Sequence, residues 1–216
     1  MNTIPGRDIN RMKVKKAMDE HSALLVVDIQ IDFCPGGSLG VPGGDTIIPI
    51  INRYMKIFGR LGVPVFATRD WHPPVTAHFR KFGGIWPPHC VQNSEGSRFH
   101  PALKLPGDAI IVSKGMDPEK DDYSAFHARN GEGTLLPDIL EREGIRHLYI
   151  AGLATDYCVR QTAHDALSMG FDITVLTDAV RGVDLTPGDS ARALEEIVAA
   201  GGRLADLAAL EKASKN

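Results

Sequence analysis

Two rhythms of apolar residues run along the chain. The stretch Ala23-Leu24-Leu25-Val26-Val27 is apolar at every position, as in a strand covered on both faces, and it stops at Asp28. Shorter runs of the same kind lie at residues 63–68, 109–112, 148–151 and 171–176, with a weak one at 203–207. Between them the apolar residues recur at helical spacing. Ile47, Ile48, Ile51, Tyr54, Met55 and Phe58 form a stripe that follows Asp45 and stops at Gly62. Val159, Ala163, Ala166 and Met169 form another, opened by Thr155 as N-cap and closed by Gly170. Two further helices are predicted over 135–141 and, behind Pro187-Gly188, over 191–200. Strands alternating with helices predict an α/β protein: a three-layer, Rossmann-like fold whose mainly parallel sheet of about six strands is flanked by helices on both faces. Two stretches break the pattern. Residues 1–20 are charged and show little periodicity, so they read as an N-terminal arm before a single domain over 21–216. The proline-rich connection from Arg69 to about Gly107 is too long for an idle loop and should carry function.

Composition narrows the partners. A net charge of −3 over 216 residues offers no basic stripe, which speaks against nucleic acid and anionic membrane and for a small-molecule partner. Neither a spanning segment nor the apolar core of a secretory signal is visible, so a cytoplasmic protein is expected, with self-association left open. Cys34, Cys90 and Cys158 form no CxxC pair, which fits a reducing compartment.

In a parallel sheet the strand C-termini share one edge, and there ligands bind. Asp28, Asp70, Lys114 and the turn before Cys158 should therefore converge, although Asp28 taken alone reads more readily as the cap of a turn. Cys158 falls in the first turn of its helix, where free N–H groups and the helix dipole favour thiolate; the alternative is a packing thiol. A cysteine beside a carboxylate and a lysine is a nucleophilic set, and the N–H groups around Ala154 and Cys158 would hold an oxyanion, which suggests acyl transfer. In the long connection, Asp70 and His72 point to one side of an extended segment, with His78 and His89 nearby. Carboxylate and imidazole together suit one divalent ion, Zn, Fe or Mn. Phe33, Trp86, Tyr123 and Tyr157 are candidates to wall a flat pocket, or ordinary packing residues.

The segments VVDIQIDFCPGGSL (26–39), TRDWH (68–72), WPPHC (86–90), GLATDYCVRQTAHDAL (152–167) and TDAVRGV (177–183) together resemble the nicotinamidase/pyrazinamidase group of the isochorismatase-like cysteine hydrolases. The resemblance covers nearly the whole domain. It implies Asp28 as base, Lys114 as its partner and Cys158 as nucleophile, with a cis peptide between Leu153 and Ala154. It further implies Asp70, His72, His78 and His89 around a metal, and Phe33, Trp86, Tyr123 and Tyr157 around nicotinamide. The implied reaction converts that carboxamide to nicotinic acid and ammonia through a thioester. A related small-amide or carbamoyl hydrolase is the alternative within the class, and a ligand-binding or redox-sensing protein the alternative outside it.

Overall fold

The computed structural model describes residues 20–213, so the arm read over residues 1–20 lies, apart from Glu20, outside the described residues. The sheet is built from β1 (Ser22–Val27), β2 (Val65–Asp70), β3 (Ile110–Lys114), β4 (His147–Leu153), β5 (Asp172–Arg181) and β6 (Arg203–Ala205). Their order in space is β3-β2-β1-β4-β5-β6, and all five pairings are parallel. Chain order therefore reverses between β1 and β4, which opens a crevice at their C-terminal ends.

The unbroken apolar runs are explained by the two cores. Along β1, Leu24 and Val26 face one cluster while Ala23, Leu25 and Val27 face the other, the period of two that a pleated strand imposes. On the first face lie α1 (Ile48–Arg60), which buries Ile48, Ile51, Tyr54, Met55 and Phe58, and α5 (Leu207–Ala213). The second is covered by α2 (Leu136–Arg142), α3 (Arg160–Ser168) and α4 (Asp189–Ala199). Among the described residues no helix is long and apolar enough to cross a membrane.

Five boundaries differ from expectation, each for a physical reason. The strands β2 and β3 run on past their apolar runs to Asp70 and Lys114, because these polar residues stay paired in the ladder. Strand β5 extends to Arg181, because a register shift against β4 between Ile150 and Gly152 lets the TDAV segment rejoin the sheet. The last element after β6 is a helix, α5, where the sequence suggested strand up to Leu207. Thr155 is not an N-cap. Ala154 takes that position without a side-chain bond, and Thr155–Val159 form one π-helical turn that leads into α3.

Candidate active site

Asp28 follows β1 directly, is fully buried and has a left-handed backbone (φ 50°). Its Oδ1 accepts from the Thr68 hydroxyl at 2.6 Å, and its Oδ2 lies 2.9 Å from Lys114 Nζ. Asp70 and Lys114 are register partners at the ends of β2 and β3, and the ammonium donates to Asp70 Oδ1. It also donates to Cys158 Sγ at 3.4 Å. One buried ammonium thus joins two carboxylates and the thiol that the sequence placed at separate strand ends. Burial opposes a charge on Lys114, but Asp28 and Asp70 together hold its pKa well above the usual lysine range. Burial raises the pKa of Asp28 against the pull of Lys114.

Cys158 differs from expectation. Burial, aided by the Asp28 and Asp70 carboxylates, pushes its thiol well above the usual range, with Lys114 as the opposing influence. Burial thus works against the thiolate that the first turn of a helix favours, and attack by this sulfur calls for a base to take its proton. A ligand atom of each of Asp28, Asp70 and Cys158 falls within 4.8 Å of the others, so the Asp28 carboxyl group lies close to the thiol. The Leu153–Ala154 peptide is cis, as the resemblance implies. The Ala154 carbonyl accepts from the amides of Tyr157 and Val159, each at 3.1 Å, and passes over that of Cys158 between them.

The second cluster borders the first. Beyond β2 the chain runs on in extended form, and His72 pairs with the segment around Val91, its N–H donating to Cys90 O at 3.0 Å. That pairing sets His72 beside His89, with ring centroids 4.9 Å apart; His78 stacks on His72 at 4.6 Å. The other carboxylate oxygen of Asp70, Oδ2, lies 3.6 Å from His72 Nε2 and 4.0 Å from His89 Nε2. His89 donates from Nδ1 to Pro87 O at 2.8 Å and His78 from Nδ1 to Asp121, which leaves Nε2 of each ring as the acceptor. Burial lowers the pKa of His78 and takes that of His89 down to about 4, so both are neutral at neutral pH, as ligands must be. Both ring nitrogens of buried His72 lack a hydrogen-bond partner. An orphaned imidazole is costly unless something absent supplies the partner, and three imidazoles beside a carboxylate suit a divalent cation. Gly115 permits this packing, because a Cβ there would lie 2.5 Å from His72 Cε1.

The crevice above Cys158 is walled by Phe33, Trp86, Tyr123 and Tyr157, together with Leu39, Val41, Leu153 and Val183, and measures about 400 Å³ out to its open mouth. Trp86 donates from Nε1 to the Tyr123 hydroxyl at 2.9 Å and meets Tyr157 edge-on at 5.2 Å. Asp70, Ala154 and Cys158 form its floor. All twelve residues singled out from the sequence therefore border one connected region.

Three supports escaped sequence reading. Thr68 holds Asp28. Gln30 brackets the backbone of Asp70, donating to its carbonyl at 2.8 Å and accepting from its amide at 2.7 Å. Asp121 fixes His78. No signal marked Gln30, because the chain turns after Asp28, with the Gln30 N–H donating to Asp28 O at 2.8 Å. None existed for Asp121, one acidic residue in an exposed polar loop.

A thiol, a carboxylate and an ammonium meeting at the switch point of a parallel sheet are the parts of a hydrolase that works through cysteine. Residues 22–209 match the isochorismatase domain, and the chain belongs to that family. It is 43% identical over 207 residues to the nicotinamidase of Escherichia coli (strain K12), covering 88% of this chain and 97% of that protein. The pyrazinamidase of Pyrococcus horikoshii, solved in complex with zinc, superposes with a TM-score of 0.80 at 49% identity, covering 87% of this chain and 99% of that one. A protein of L. infantum solved in complex with nicotinate superposes with a TM-score of 0.79 at 35% identity, covering 89% and 96%.

Proposed function

We propose that the protein is a nicotinamidase that hydrolyses nicotinamide to nicotinic acid and ammonia, and pyrazinamide likewise, with Cys158 as nucleophile. The observation that carries the reading is the buried triangle of Asp28, Lys114 and Cys158 beneath an aromatic cleft. A flat pyridine ring fits between Phe33, Trp86, Tyr123 and Tyr157, and its carboxamide then reaches the thiol. As the Sγ–carbon bond forms, Asp28 takes the thiol proton and Lys114 stabilises the paired carboxylates. The N–H groups of Ala154 and Cys158 receive the oxyanion. The Asp28 proton then leaves with ammonia as the C–N bond breaks. Water, deprotonated by the same carboxylate, cleaves the thioester to release nicotinic acid.

Asp70, His72, His78 and His89 would hold one divalent ion, Zn, Fe or Mn, which supplies a Lewis acid beside the pocket. His72→Ala should lower the metal content of the purified protein, read by elemental analysis, and reduce turnover in parallel. Full turnover by protein stripped of metal would refute the site.

The substrate assignment is tested with a panel of small amides scored for ammonia and free acid. Nicotinamide and pyrazinamide should lead it, and a panel led by aliphatic or carbamoyl amides would refute the assignment. Within the cleft, Trp86→Ala removes the edge contact with Tyr157 and the bond to Tyr123. It should raise KM for nicotinamide about tenfold or more, ~1.4 kcal/mol per decade, with a smaller change in kcat. Steady-state kinetics on the folded variant give both values.

A further inference from the structure

We propose that the buried carboxylate of Asp32, which takes no part in the chemistry above, is a positioning residue that ties the loop carrying His89 to the wall of the substrate cleft. The inference rests on the reading of His89 as a metal ligand and of the aromatic cleft as the substrate pocket.

Asp32 sits in the 3₁₀ turn Ile31–Phe33 that follows β1, and its side chain is buried. Oδ2 accepts from the Cys90 N–H at 2.7 Å, and Oδ1 from the Ser38 N–H at 3.1 Å. The backbone of the same residue donates to Gly96 O at 3.0 Å and accepts from Leu39 N–H at 2.9 Å. One residue thus fastens three segments, of which those at Cys90 and Gly96 are remote from it in sequence. Cys90, directly after His89, has φ 45°, a left-handed conformation that a side-chain-bearing residue keeps only when its surroundings hold it. The 2.7 Å hydrogen bond from its N–H to Asp32 Oδ2 supplies that hold. The His89 ring has one further tether, from Nδ1 to Pro87 O, so the aim of its Nε2 follows the set of the turn over 87–90. On the other side, Leu39 and Phe33 line the cleft, and the Phe33 ring lies 5.4 Å from that of His89. A shift of the Asp32 carboxylate therefore moves a ligand and a pocket wall together. The approach of the third segment is close: a Cβ on Gly96 would lie 2.1 Å from Asp32 Oδ2.

Two variants of the full-length protein test this from opposite sides. In Asp32→Asn one of the two oxygens becomes a donor, so either Cys90 or Ser38 loses its acceptor. Gly96→Ala pushes the intact carboxylate off its partners without substituting a ligand, the nucleophile or a cleft residue. In both, affinity for zinc alone, measured by competition with a chromophoric chelator, should fall about 10- to 100-fold. At saturating zinc, KM for nicotinamide should stay several-fold above wild type while kcat stays close to it. A loop brace without a positioning role would lower the melting temperature and leave zinc affinity and KM unchanged, and that result in a folded variant would overturn the inference. Should Asp32→Asn not fold, Gly96→Ala decides. Wild-type protein that takes up no zinc would instead undo the metal reading itself.

Discussion

Cys158→Ala should fold, bind nicotinamide and release no ammonia. The side chain is buried at 6% exposure, and shortening it by one sulfur removes a modest packing contribution and one 3.4 Å bond from Lys114. A stability loss of about 1 kcal/mol is expected, the ordinary cost of a small core change. Turnover should fall by about 10⁴-fold or more, because Asp28 and Lys114 without a nucleophile leave no route to the thioester. The measurement is ammonia release beside a thermal melt. Unchanged turnover in the folded variant would end the covalent mechanism, whereas a protein that no longer melts cooperatively would show that the thiol is needed chiefly for packing.

Lys114→Met should lose both activity and stability. The substitution keeps an apolar stem of similar length and removes the one ammonium between the carboxylates of Asp28 and Asp70. Removing one partner of a buried pair costs about 3–5 kcal/mol, because the remaining charge is buried without compensation. The sign of the pH dependence follows. With their partner gone, both carboxylates have folded pKa values raised above the unfolded range, so the folded state of the variant binds the more protons. Its deficit against wild type should therefore be smallest below the unfolded carboxylate pKa of about 4 and should widen as pH rises from there. Denaturant melts of both proteins from acid to neutral pH give the comparison. A deficit that stays constant with pH would mean that Lys114 acts through packing of its stem. The natural protein carries the weaker form of the same effect in Asp28, whose pKa burial already raises.

Much of this molecule is legible in its sequence because the sheet is buried on both faces. Runs such as residues 23–27 and 148–151 can hardly be other than core strands, and their spacing implies the parallel order. The ends were harder. A rule that follows apolar residues stops before Asp70 and Lys114, whereas the ladder continues through them. The surroundings of Cys158 are hidden for a related reason. Sequence shows the helix start beside the cysteine, but neither the burial that raises its pKa nor the carboxylates at the ends of β1 and β2 that add to the effect. Asp121 lies beyond any such reading, since nothing in a polar loop marks which acid will meet His78.

The pairing of Asp70 with Lys114 inside the ladder has a consequence for how the enzyme can lose its competence. Side chains carried by loops can be disarmed by local breathing while the rest of the molecule stays intact. These two are paired at the ends of β2 and β3 with both side chains buried, so freeing them takes a larger opening than a loop requires. Tyr123, in the wall of the cleft, lies on a connecting segment, and such segments open at lower cost than a sheet does. Substrate entry and the integrity of the charged centre are in this way assigned to different levels of the stability hierarchy, so the door can open often without loosening the machinery behind it.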